Sequence, residues 1–269
     1  MKNRQSCKEK YLQPVLSALL LSTLLLAQSV HATVVAKCNQ FDIVNITPTS
    51  NTYKVYNDVV YSLNNSQCIK VDDANGNFNV ITSTANFPTI GLPVNFVYIG
   101  KGCHWGYCTT KSGMPKQVSA LLNVTSSWKT VQPATTATAK SAYDVSYNIW
   151  FNKTATASAQ ADGAQLMIWL ASKGGVAPIG LKIASNQTIS GSTWNIWKGL
   201  NNGIAIVTYV RTANVVSVAN LNIKAFITDA TTTRNIVQAS WYLIGLEAGF
   251  EIWKTSEGLA SSSFSALVE

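Results

Sequence analysis

The chain has 269 residues, of which 47% are hydrophobic and only 12% charged, with a formal net charge of +8. Its two histidines exclude a multi-histidine zinc site. No G-x-x-x-x-G-K-[ST] or G-x-G-x-x-G loop offers to cradle a phosphate, no G-x-S-x-G elbow presents a serine nucleophile, and the basic residues form no block that would suit nucleic acid. No metal and no cofactor is expected.

Residues 1–32 read as an export signal. Lys2, Arg4, Lys8 and Lys10 precede an apolar run over 15–27, and Val30-His31-Ala32 suits signal-peptidase cleavage. The run is short for a membrane span and no later stretch has spanning length. The expectation is a signal peptide over 1–32 and a single exported domain over 33–269, extracellular or periplasmic in transit, away from the membrane once cleaved, and monomeric. Past the signal the net charge falls to +5 and four cysteines remain: Cys38, Cys68, Cys103 and Cys108. Four cysteines in an exported chain suggest two disulfides with three connectivities open. We favour 38–68, which ties the N-terminal strand to its neighbour, and 103–108, which closes a small loop.

From residue 33 onward short β-forming runs follow one another, divided by Asn, Gly, Ser, Thr and Pro. The pattern predicts strands at 41–46, 53–60, 67–71, 78–81, 94–99, 118–124, 143–151, 165–170, 179–183, 193–198, 204–210, 241–246, 250–253 and 262–268. Residues 133–139 read as a surface loop. Only 221–230 suits a helix, with Leu221, Ala225 and Thr228 on one side. The expected fold is all-β, a two-sheet jelly-roll β-sandwich with a concave cleft and one short helix.

Two of these runs carry chemistry. Alternation over 163–170 puts Gln165, Met167 and Trp169 on one face, and alternation over 247–253 does the same for Glu247, Gly249 and Glu251. Strands that aim polar and aromatic groups into one space suit the floor of a polysaccharide cleft, because sugar rings pack their C–H faces on aromatic rings while amides and carboxylates bond the hydroxyls. Eight Trp and ten Tyr supply the aromatic part. Trp105 and Trp169 are the stronger sugar candidates, and parity places Met167 on the cleft floor with Gln165.

The segments Gln165-Leu166-Met167-Ile168-Trp169 and Ala248-Gly249-Phe250-Glu251-Ile252-Trp253 resemble the E-[IL]-M-I-W and A-G-[FT]-E motifs of glycoside hydrolase family 12, secreted endo-β-1,4-glucanases. Further stretches add to the resemblance. Gly102-Cys103-His104-Trp105-Gly106-Tyr107-Cys108 is similar to G-C-H-Y-x-x-C, and Tyr143-Asp144-Val145-Ser146-Tyr147-Asn148-Ile149-Trp150 to Y-D-x-x-Y-D-I-W. Val176-Ala177-Pro178-Ile179-Gly180 is similar to the loop overhanging that family's cleft.

The resemblance implies a retaining glycosidase fold and the 38–68 and 103–108 disulfides of the bacterial members. It also implies an acid/base at Glu251, a nucleophile position at 165, a tuning acid at 148, and a cleft-facing His104 and Pro178. Glu247 is expected to bond a sugar hydroxyl or a neighbouring side chain. Asp58 falls in the family's N-N-x-W-G segment, where Val60 replaces the tryptophan. The partner implied is a β-1,4-glucan: cellulose, mixed-linkage glucan or xyloglucan.

The departures sit where the chemistry belongs. Gln165 and Asn148 replace the two acids, and a carboxamide oxygen is too weak a nucleophile to form the glycosyl intermediate. Glu247 lies four residues along its strand from Glu251, about 13 Å and too far to partner it as a second catalytic carboxylate, and Asp144 lies at the same offset from position 148. The expectation is an endoglucanase-like chain with hydrolysis in doubt. The alternative is a non-catalytic relative that binds β-glucan or decoys an inhibitor.

Overall fold

The computed structural model describes residues 33–46, 52–133, 140–157 and 159–269. The expected signal peptide over 1–32 and most of the expected loop over 133–139 lie outside them. Strands are numbered β1 to β17 in chain order. The smaller sheet runs β1 (Val34–Lys37), β4 (Gln67–Asp72), β5 (Phe78–Ser83), β17 (Ala260–Val268), β9 (Val124–Val131), β15 (Ser217–Asn222). The larger runs β12 (Leu181–Ile189), β13 (Ser192–Asn201), β14 (Ile204–Arg211), β11 (Ala164–Lys173), β10 (Ala142–Asn152), β16 (Tyr242–Lys254), β6 (Asn95–His104), β3 (Tyr53–Val59), β2 (Asp42–Ile46). Two short strands sit off that path: β7 (Tyr107–Cys108) pairs with β6, and β8 (Lys116–Gln117) with β16. Neighbouring strands are antiparallel except β11 and β14, which run parallel.

Period-two alternation builds the sandwich. Tyr147, Ile149 and Phe151 of β10, Leu166, Ile168 and Leu170 of β11, and Leu246, Ala248, Phe250 and Ile252 of β16 all enter one apolar core. Trp128 and Phe78, from β9 and β5 of the smaller sheet, join the same core. Each such side chain, fully buried, contributes about 1.5–3 kcal/mol, so the inward parity of the three central strands is strongly held. Their other face is left to carry the site. The all-β jelly-roll sandwich expected from the sequence is the fold observed.

The single α-helix among the described residues, α1 (Ile223–Thr232), is capped by Asn222, whose side chain accepts from the Ala225 N–H at 3.1 Å. It begins two residues later than expected and buries a different side: Ile223, Phe226, Ile227 and Ala230. Phe226 packs edge-on against Trp194 and Tyr209. Aromatic partners on β13 and β14, rather than the spacing of Leu221 and Ala225, set which side faces inward. Both favoured disulfides, Cys38–Cys68 and Cys103–Cys108, are present.

Candidate active site

The outward face of β11, β10 and β16 carries Gln165, Met167 and Trp169, then Asp144, Ser146, Asn148 and Trp150, then Glu247, Gly249, Glu251 and Trp253. A bulge between Val145 and Ser146 shifts the register of β10 on β11. Across the other edge of β10, Asp144 pairs with Glu251 and Asn148 with Glu247. Gly249 is required by crowding: a Cβ there would stand 2.2 Å from the Val97 carbonyl oxygen. Gly249 lies between the small Ser146 of β10 and the buried Tyr98 of β6, and Asn148 reaches past Ser146 toward Glu251.

A cavity of about 570 Å³ opens over this floor. Gln165, Asn148, Asn201 and Glu251 line one part of it, and Tyr56, Asp58, Phe96, His104, Trp105, Tyr107 and Trp150 another. A smaller space adjoins it, lined by Met167, Trp169, Ile179 and Trp253 together with Gln165 and Glu251.

The amides form a directional chain. Asn201 Nδ2 donates to Gln165 Oε1 at 2.7 Å, Gln165 Nε2 donates to Asn148 Oδ1 at 2.5 Å, and Asn148 Nδ2 donates to Glu251 Oε1 at 3.5 Å. Each amide accepts on its oxygen and donates from its nitrogen, so the chain ends on the carboxyl of Glu251. Glu251 is partly open to the groove but densely surrounded. That desolvation, with a smaller push from the charge of Glu247, raises its carboxyl from 4.5 to about 7 against the opposing hydrogen bonds of Asp144 and Asn148. Burial thus keeps this carboxyl raised although position 165 carries no acid.

Glu247 does not line the cavity and bonds neighbouring side chains, the second of the two roles expected for it. It is buried, with Oε1 2.5 Å from His104 Nδ1 and Oε2 accepting from Trp150 Nε1 at 2.9 Å. His104 is further held by stacking on Tyr98 and by the edge of Trp150, and still lines the cavity as expected. Lys54, buried beside this group, donates to the Tyr107 carbonyl, and burial lowers its ammonium to about 8. Asp58 lies in the cavity wall, where burial pushes its carboxyl up to about 6 against the nearby His104.

Other expected residues divide. Trp105 lines the cavity and is 54% exposed. Trp169 and Met167 are almost wholly buried in a small apolar cluster with Ile206 and Trp253, so they floor the smaller space as packing rather than as open platforms. Pro178 lines neither space, although its neighbours Ala177 and Ile179 line the smaller one. Among the described residues no three His, Cys, Asp or Glu side chains gather as metal ligands would.

Sequence reasoning missed Trp150, Asn201 and Asp144. Trp150 shares parity with Asn148, a signal that was available. Asn201 precedes the hairpin turn Asn202-Gly203, both residues at positive φ; the turn was readable but its closeness to Gln165 was not. Asp144 was measured only along its own strand, whereas its neighbour is Glu251 on the next.

Comparison with known proteins identifies the fold. An endoglucanase of glycoside hydrolase family 12 derived from a metagenome superimposes with a TM-score of 0.81 at 30% identity, covering 89% of this chain and 99% of the other. Endoglucanase cel12A from Rhodothermus marinus does so with a TM-score of 0.79 at 34% identity, covering 87% and 99%. A xyloglucan-specific endo-β-1,4-glucanase 1 of Phytophthora nicotianae is 26% identical over 94% of this chain and 100% of its own length. The model of glycosyl hydrolase family 12 matches residues 46–269. The chain belongs to glycosyl hydrolase family 12.

Proposed function

We propose that the groove binds β-1,4-glucan chains, that Glu251 and Gln165 occupy the family's acid/base and nucleophile positions, and that hydrolysis by the retaining route is suppressed. The observation that carries this reading is the amide chain. Gln165 is hydrogen-bonded at both ends by other amides, so the carboxamide fits the site it occupies and has no free oxyanion to offer. A retaining glycosidase needs one carboxylate to attack the anomeric carbon and a second carboxyl about 5–5.5 Å away to protonate the leaving oxygen. Glu251 can supply the second role; Gln165 cannot supply the first. Relatives named as cellulase and as xyloglucan-specific endoglucanases bring cellulose and xyloglucan forward as ligands. Residues 1–32 serve, on the same reading, as a cleaved export signal.

The test compares the unaltered protein with Gln165→Glu combined with Asn148→Asp on mixed-linkage glucan and xyloglucan. The double variant is expected to release reducing sugar at least about 10³-fold faster, with retained configuration. Strong turnover with retention by the unaltered protein overturns the reading. Calorimetry with cello- and xyloglucan oligosaccharides tests binding: heat with micromolar to millimolar affinity is expected, and none at all removes the glucan from the proposal.

A further inference from the structure

We propose that Asp144 is a positioning carboxyl for Glu251: the two acids, opposite each other on β10 and β16, hold one proton between them, with Asp144 donating and Glu251 accepting. The bearing of this pair on catalysis rests on the acid/base reading of Glu251; the pair itself does not.

The register places Asp144 and Glu251 directly across from each other, and their parity turns both to the groove face. Asp144 is wholly buried, and neither of its oxygens meets a well-formed hydrogen bond; only the Ser146 hydroxyl and the Glu251 backbone N–H approach it as weaker donors. Burial and the facing carboxyl of Glu251 outweigh both of these donors at Asp144. An ionised carboxylate so placed would cost several kcal/mol. A neutral Asp144 has an O–H to give, and the acceptor that faces it is Glu251. The amide chain already delivers an N–H to the same carboxyl, so the donors converge on Glu251 and leave the proton with Asp144.

The charged surroundings favour a single negative charge. Glu247 stands farther along β16, and Asp58 lies on β3 in the same cross-strand row, beyond the uncharged Phe96 of β6. His104 ends β6, and His104 and Lys54 are engaged by Glu247 and by the Tyr107 carbonyl. No cation among these is left to hold a second charge at the pair. In keeping with this, burial and the charge of Glu251 raise the carboxyl of Asp144 well above its ordinary range. Glu251 is therefore a proton donor only below about 7; above that it is the charged member, and Asp144 keeps the remaining proton.

Infrared spectroscopy of the intact protein reads this without any substrate. At about pH 8, above the titration of Glu251 and Asp58, the unaltered protein should show the carbonyl stretch of one buried protonated carboxyl. Asp144→Asn should abolish it. Glu251→Gln should lower its titration midpoint by at least about one pH unit, because the partner's charge is gone. Circular dichroism checks the fold of each variant, and Asp144→Ser replaces Asp144→Asn if the amide disturbs packing. A band that survives loss of Asp144, a midpoint unmoved by Glu251→Gln, or no band in the unaltered protein overturns the proposal. Each result stands whether or not the groove takes a glucan.

Discussion

Two hydrogen-bonded groups share the floor of the groove, and they differ in kind. One is ionic: Glu247 with His104 and Trp150, and Lys54 close by. It is packed beneath the surface with both carboxylate oxygens engaged. The other is the neutral chain Asn201–Gln165–Asn148 running to Glu251, whose four members all line the cavity. Charge in this molecule holds the floor in shape, while amides meet whatever lies on it. A groove built this way keeps its form and its hydrogen-bonding surface with a carboxamide at position 165.

The contrast can be broken from either side. The largest effect is expected from Glu247→Ala, which strips the partner from His104 and Trp150 and should cost about 3–5 kcal/mol in denaturant unfolding. A cost near zero would mean that the ionic group does not brace the floor. Asn148→Ala cuts the neutral chain and leaves Gln165 Nε2 unpaired in a buried place, at about 1–3 kcal/mol; chemical denaturation measures it, and a loss matching that of Glu247→Ala would erase the distinction.

The next effect is one of pH. The folded-state pKa of Glu251, about 7, lies above its ordinary 4.5, so the folded protein holds this proton more tightly than the unfolded chain. Its stabilising contribution is full below about 4.5 and is lost as pH rises through about 7. Thermal melts should show that decline, with Asp58, raised to about 6, contributing in the same direction. Glu251→Gln should flatten the slope, and an unchanged slope would place the titration elsewhere. Smallest is Trp105→Ala. It should leave stability within about 0.5 kcal/mol and weaken oligosaccharide binding by roughly 3- to 10-fold, read by calorimetry.

What the sequence made legible was whatever repeats every two residues. The parity of Gln165 with Met167 and Trp169, and of Glu247 with Glu251, follows from alternation and stands in the structure. What stayed hidden depends on which strand lies beside which, and at what offset. Asp144 faces Glu251 because β10 pairs with β16 across more than a hundred residues of sequence, and no local pattern states that register. For Glu247 the sequence left open a sugar hydroxyl or a neighbouring side chain, and no local pattern named the partners, Trp150 and His104, which come from two other strands. The helix shows the same limit: aromatic neighbours on β13 and β14 chose its buried side.

Trp105 and Gly106 form the two-residue turn between β6 and β7, both in the left-handed region at φ 49° and 81°, and Cys103–Cys108 bridges the strands just behind them. A bulky aromatic residue rarely adopts that backbone shape unaided. The staple holds the backbone that carries the ring to the cavity wall, beside His104. Immobilising mobile groups on association costs about 0.5–1.5 kcal/mol per side chain, and a stapled turn adds no backbone ordering to that cost. A weakly held polymer can thus be gripped by a surface that gives up little freedom in closing on it, and cutting the staple should loosen the grip while the sandwich stays intact.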